Sequence, residues 1–321
     1  MQSSKIIQDA LDFLSQEAQE LYLGPRIPEL FDIPTSLQFT RDYVAKNMPV
    51  ILRGCLHWPA ITKWSSKYFR NTIGGKDVTV AVTPNGYADG IAVHEKKDYF
   101  VMPEEQEMKM GDFLDKLDNK SDLIYYIQKQ NSNLSTDFHE LLNDIDMESL
   151  NFSKESFNKD PDAINFWMGD ERAVTSMHKD PYENMYCVIS GYKDFVLIPP
   201  VCYHNVPRKV YPSAVYKTDQ RGKMTIEPLL DEETKKPVTI EWVSVDPLDP
   251  DLKTFPQYSK AIQYEVRVNA GDILYLPSFW YHHVRQSHKC IAVNFWYDMD
   301  YDARYCYYRM IEKLCANKDV L

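Results

Sequence analysis

Two short strings in this chain hold side chains able to bind a metal. In Thr175-Ser176-Met177-His178-Lys179-Asp180, an imidazole and a carboxylate stand one residue apart. Far downstream, Pro277-Ser278-Phe279-Trp280-Tyr281-His282-His283 offers further imidazoles. On a strand, residues i and i+2 point to the same face, so His178 and Asp180 can present two ligands to one ion. A histidine from a nearby strand completes a set of two imidazoles and one carboxylate, with metal positions left open. That donor set suits non-haem Fe(II) and is the one its oxygenases use. Adjacent strand residues face opposite sides, so only one of His282 and His283 reaches the ion. Alone, His-x-Asp is equally an ordinary strand pair; the distal string gives it weight.

Those ligands need strands to carry them. Short β-prone runs stand at 123–128, 186–190, 195–200, 273–277 and 290–297, and Ser190-Gly191-Tyr192-Lys193 reads as a hairpin turn. Many short strands separated by turns predict a sandwich or barrel. The earlier third is mixed. Helical spacing over 5–22 is stopped by Gly24-Pro25, followed by a short helix, a buried strand at 50–52, a helix over 64–71 and a strand at 78–82. The stretch 211–260, with Asp231-Glu232-Glu233 and several prolines, reads as a surface insertion. Helical spacing returns over 302–315 and aligns Tyr307, Met310, Ile311 and Leu314. The expected organisation is an N-terminal helix/strand region (1–121), a β core (122–300) holding the insertion, and a C-terminal helical element (301–321).

Composition narrows the function classes. Of 321 residues, 44% are hydrophobic and 13% aromatic, enough for a large core. The net charge of −11 argues against nonspecific nucleic-acid binding and suits a basic partner. The six cysteines show no Cys-x-x-Cys pair, and no apolar run is long enough to span a membrane, so free thiols in the cytoplasm or nucleus are expected.

Pro277-Ser278-Phe279-Trp280-Tyr281-His282 matches the P-x-x-W-x-H pattern that precedes the distal ligand of the JmjC oxygenases, and the chain resembles that family. The resemblance implies a mainly β fold with flanking α, a double-stranded β-helix (a cupin-like jelly roll) with N-terminal helical elements and a C-terminal helix pair. It assigns His282, with His178 and Asp180, to Fe(II), and implies 2-oxoglutarate and O2 as co-substrates. In the asparaginyl-hydroxylase branch, a Thr three residues before the first ligand and a Lys fifteen after it hold the far carboxylate of 2-oxoglutarate. Thr175 and Lys193 occupy those positions. Tyr126, Asn184 and Asn294 match the remaining cofactor contacts. Each has a plainer reading (Tyr126 as core, Lys193 as a turn lysine, Asn294 as a strand-end amide), but together they stand in register around the triad.

The strings Ala81-Val82-Thr83-Pro84-Asn85-Gly86-Tyr87, His178-Lys179-Asp180-Pro181-Tyr182-Glu183-Asn184 and Val293-Asn294-Phe295-Trp296-Tyr297-Asp298 are similar to a lysyl-hydroxylase group of that family. Pro181 departs from it, standing where mammalian members are expected to carry His. The similarity implies (3S)-hydroxylation of a lysine on a translation-associated GTP-binding protein. The related asparaginyl hydroxylases dimerise through C-terminal helices, so with the stripe at 302–315 a homodimer is expected; charge and the lack of a long apolar run predict no direct nucleic-acid or membrane partner. Glu183 and Asp298 are the acidic candidates for the substrate ammonium. Three rivals share the triad: a lysine or arginine demethylase, a peptidase acting on basic tails, and a non-oxidative cupin.

Overall fold

The computed structural model describes residues 2–119 and 121–316; the last five residues of the expected C-terminal element lie outside them. The jelly roll is built from two facing sheets. The larger has nine strands in the order Glu29–Leu30, Val50–Leu52, Ile273–Leu276, Tyr182–Ser190, Cys290–Asp298, Ala163–Gly169, Ile124–Ile127, Asp77–Thr83 and Glu104–Lys109. The smaller runs Tyr264–Asn269, Tyr192–Ile198, Tyr281–Gln286, Val174–His178 and Tyr87–Ala88.

Strand alternation separates two cores. Tyr126, Trp167, Tyr186, Val188 and Ala292 point inward from the large sheet and pack on Phe195, Leu197 and Val284 of the small one. Their immediate neighbours Tyr125, Phe166, Cys187 and Val293 point outward. There they are covered by Phe39, Trp58, Trp64, Phe69 and Phe113 from the N-terminal helices and loops, and by Phe138 from the segment after Ile124–Ile127. Both faces of this sheet are therefore apolar, which explains why its strands read as continuous hydrophobic runs. Residues 1–121 are part of the sheet itself: Ala81 pairs with Tyr126, across the expected boundary at 121/122.

The helices start where their side chains can satisfy free backbone amides. Thr35 and Gln38 form a capping box, Ser65 accepts from the Tyr68 amide, and Asp302 accepts from the amides of Arg304 and Tyr305.

Two expectations change. The stretch 211–260 is more than surface decoration. Its strands Met224–Pro228 and Thr239–Val243 pair with Arg208–Thr218, which joins Lys97–Met102 and Gly90–His94 in a third sheet. Its polar, proline-rich sequence hides this because one face of such a sheet stays in water. In place of a C-terminal helix pair, the described residues hold one helix there, Ala303–Cys315. Its companion is the first helix, Gln2–Leu21, whose Ile7 and Leu11 share an apolar cluster with Tyr308, Ile311 and Cys315.

Candidate active site

His178 ends its strand, and a register shift decides what it faces. Thr175 pairs with Val284, but His178 pairs with His282, so two residues of one strand oppose His283 alone. This bulge brings the two imidazoles opposite each other, with ring centroids 4.2 Å apart. It also lets Thr175 and His178 line one cavity despite their odd spacing, which on a regular strand would set them on opposite faces.

Asp180 lies beyond the strand end, correcting the expected same-strand pair. Its carbonyl accepts a hydrogen bond from the Phe279 amide (2.9 Å), and Phe279 has a positive φ of 65°. The loop before the distal ligand thereby fixes the carboxylate. Asp180 Oδ2 stands 3.4 Å from His178 Nε2 and 3.6 Å from His282 Nε2.

The rings are held in one tautomer. His178 Nδ1 donates to the Ser176 carbonyl (2.8 Å) and His282 Nδ1 to the Trp280 carbonyl (3.0 Å), which turns both Nε2 atoms toward Asp180. Burial and the nearby His178 hold His282 down to about 4, so it is neutral and able to ligate. Burial favours protonating Asp180, yet His178, His282 and Lys179 together outweigh it and bring the carboxyl down to about 2. His283 points the other way: it pairs with Val196 of the outer cluster and lies 4.0 Å from Asp246. Among the described residues a second group, Asp170, Glu171 and His288, also converges, but Arg172 already holds both oxygens of Asp170.

The other predicted residues gather around the triad. Thr175, Asn184 and Asn294 line its cavity, and Asn294 Nδ2 donates to Asn184 Oδ1 at 3.1 Å. Lys193 is only 1% exposed. It donates to Tyr126 Oη (2.8 Å) and Gln286 Oε1 (2.7 Å), and its ammonium lies 5.7 and 5.9 Å from the rings of the cavity residues Tyr186 and Trp167. Burial pulls its pKa down to about 8, and no carboxylate stands among the groups acting on it. A dry ammonium without a counter-charge is costly, so the pocket suits an anionic ligand. Trp296 Nε1, buried in the same cavity, has no acceptor and is a second free donor. The residues present fit a metal with a small dicarboxylate beside it.

Sequence reasoning missed three contributors. Gln286 holds Lys193 from the neighbouring strand. At Gly169 a Cβ would meet Tyr126 Cδ2 at 2.4 Å, so only glycine lets that ring reach Lys193. Trp242, from the insertion, lies parallel to the His178 ring (centroids 6.0 Å, 7°) and donates to Ser176 Oγ. Trp296 stacks on Tyr182. Strand parity puts Trp296 on the same face as Asn294, as expected, and could also have flagged Gln286; nothing local marks Gly169 or Trp242. Glu183 is not in this cavity: it accepts from Tyr275 Oη (2.6 Å) and Ser278 Oγ (3.0 Å) in the wall of a separate apolar pocket. Asp298, at a strand end, faces Tyr301 and is likewise absent from the cavity lining.

A jelly roll with two imidazoles, a carboxylate and an anion-ready lysine inside it defines an enzyme of the 2-oxoglutarate oxygenase class. The chain belongs to the JmjC proteins of the cupin-like family: residues 36–303 match the family described as "Cupin-like domain". It is 44% identical to the human "Bifunctional peptidase and (3S)-lysyl hydroxylase JMJD7", over 92% of each chain. It is 37% identical to "JmjC domain-containing protein E" of Dictyostelium discoideum, over 95% of this chain and 93% of that one. "Lysine-specific demethylase JMJ32" of Arabidopsis thaliana is 33% identical, over 95% and 91%.

Proposed function

We propose that the protein is an Fe(II)- and 2-oxoglutarate-dependent hydroxylase that oxidises C3 of a lysine on a GTP-binding protein, using O2 and releasing succinate and CO2. The observation that carries the cofactor reading is Lys193, a buried ammonium with no carboxylate partner beside a cavity lined by the triad. His178, Asp180 and His282 would hold the iron. Lys193, Tyr126 and Thr175 would hold the far carboxylate of 2-oxoglutarate, and Asn184, Asn294 and Trp296 Nε1 its near end. When bound, iron and 2-oxoglutarate supply the oxidant that converts a C–H bond to C–OH. The protein's own work is positional. Lys193 neutralises and orients the dicarboxylate, the Ser176 and Trp280 carbonyls keep both imidazoles aimed, and Tyr186, Phe195 and Trp167 exclude water from the interior.

The lysine assignment draws support from the printed name of the human relative and from the acidic character of this chain. On the same reading the protein is a homodimer joined through Ala303–Cys315, since Tyr307 and Met310 are 65% and 53% exposed. Six free thiols suit a reducing compartment, the cytoplasm or nucleus. No described helix is long and apolar enough to cross a membrane.

Mass spectrometry of lysine peptides incubated with the protein, Fe(II), 2-oxoglutarate and ascorbate tests the reaction. Gain of one oxygen on lysine, matched by succinate, is the expected result. Loss of a methyl group from methyl-lysine, or backbone cleavage without oxygen gain, would replace hydroxylation by one of its rivals.

A further inference from the structure

Gln130 lines both the triad cavity and a second, more polar one, so the two are neighbours. Two carboxylates stand in the second cavity, Asp89 and Glu105. Asp89 is fastened to the ligand-bearing strand: its neighbour Ala88 pairs with Thr175, and its own carbonyl accepts from Ser176 Oγ at 2.6 Å. It occupies the left-handed region (φ 58°), one of the few non-glycine residues here that do, and its side chain is close enough to His178 and Glu105 for both to act on its charge. Glu105 reaches the site by strand register. It pairs with Ala81, which pairs with Tyr126, which pairs with Gly169, so all four sit on the sheet face that looks into the roll.

Neither carboxylate forms an ion pair or a side-chain hydrogen bond among the described residues. Neither lysine of the same cavity pairs with them: Lys129 pairs with Asp137 at 3.8 Å, and Lys217 forms no ion pair among the described residues. Two carboxylates in one cavity, neither paired with a cation, are stabilised when a cationic side chain enters between them. Those facts distinguish this pair from Glu183 and Asp298, which the geometry removes from the site.

We propose that Asp89 and Glu105 form the subsite that receives the cationic side chain of the protein substrate, steering it past Gln130 toward the triad. This rests on the lysyl-hydroxylase reading above and deepens it by naming the groups that select the charge. Asp89, nearer the triad, makes the closer contact, and Glu105 at the exposed edge strand Glu104–Lys109 meets the incoming chain first.

The test compares wild type with Asp89→Asn, Glu105→Gln and the double variant, on a lysine peptide and on the same peptide with norleucine. Peptide oxidation kinetics are measured, along with equilibrium peptide binding to the Mn(II)-loaded protein by fluorescence anisotropy. Iron content and 2-oxoglutarate affinity report on folding. For lysine, the double variant should lose about tenfold or more in kcat/KM, mainly through KM, with matching loss of binding to the Mn(II) form. Norleucine peptide binding should not change. Lysine oxidation with an unmoved peptide KM and binding in the folded double variant would overturn the subsite alone. Oxidation by wild type of a residue other than lysine would overturn the underlying reading, and the subsite with it.

Discussion

Lys193 Nζ donates to Tyr126 Oη at 2.8 Å across the interior of the roll, joining residues 67 positions apart on opposite sheets. Neither partner neutralises the ammonium. This bond therefore holds a charge in readiness for a ligand, at an energetic cost to the protein without one.

Lys193→Met should show both sides of that cost. The variant removes a buried, unpaired charge, so the ligand-free protein is expected to melt at a higher temperature than wild type. Its affinity for 2-oxoglutarate should fall by about 2–5 kcal/mol, the loss of a charge-assisted pair in a dry site. Thermal melts and titration calorimetry measure the two effects; unchanged 2-oxoglutarate affinity would remove the main support for this cofactor.

The same lysine gives a pH dependence with a defined sign. Burial lowers it from 10.5 to about 8 in the folded protein. Between those values the unfolded chain keeps a proton that the folded chain has lost, so the ligand-free stability contributed by this group rises with pH across that window. Dicarboxylate affinity should run the opposite way, weakening above about pH 8. Both slopes are read as the difference between wild type and Lys193→Met, which cancels other groups titrating in the same range.

Replacing His178, Asp180 or His282 with Ala should abolish bound iron and 2-oxoglutarate turnover. His283→Ala should keep its iron, because that ring sits on the outer face beside Asp246. Metal analysis of the four purified variants checks this. An iron-free His283→Ala together with an iron-loaded His282→Ala would reverse the assignment of the third ligand.

Trp242→Ala takes away both the ring parallel to His178 and the donor to Ser176 Oγ, whose neighbouring carbonyl aims that imidazole. Metal affinity should drop about 10–100-fold, the usual effect of losing a group that orients a ligand. Metal-chelator competition measures it, and wild-type affinity in the variant would confine Trp242 to packing.

The expected dimer stripe divides in the folded protein. Ile311 turns onto the body of the protein with Tyr308 and Cys315, whereas Tyr307 and Met310 stay outside. Replacing Tyr307 and Met310 with Glu should therefore yield monomers with normal thermal stability. Light scattering that finds wild type already monomeric at micromolar concentration would sink the dimer.

Legibility followed the range of the interaction. The choice of His282 and the roles of Thr175 and Lys193 came from the resemblance to the JmjC oxygenases, whereas His178, Asp180 and a histidine at 282 or 283 could be read from the chain because ligand chemistry is a local property. The strand at 50–52, the run 290–297 and the first helix were legible for the same reason: each carries an apolar pattern with its own period and its own stop signals. By itself, then, the sequence determined the donor set, the β-rich architecture and the inner-facing parity of Asn294.

Tertiary structure decided the rest. Whether His282 or His283 faces the metal depends on pairing with Leu197 and Val196 of a strand 85 residues earlier or more, and the bulge that aligns His178 with His282 exists only once the two strands are registered. Trp242 reaches the site from an insertion whose polar composition signals only exposure. Gly169 matters because Tyr126 and Gln286 crowd it from two other strands. Glu183, adjacent in sequence to the ligands, turns out of the cavity, while Asp89, far from them in sequence, is brought beside the ligand-bearing strand by a two-residue parallel pairing. Side-chain direction alternates every residue along a strand, but which strands become neighbours is fixed by burying apolar faces across the whole chain, and that sum is not written in any one segment.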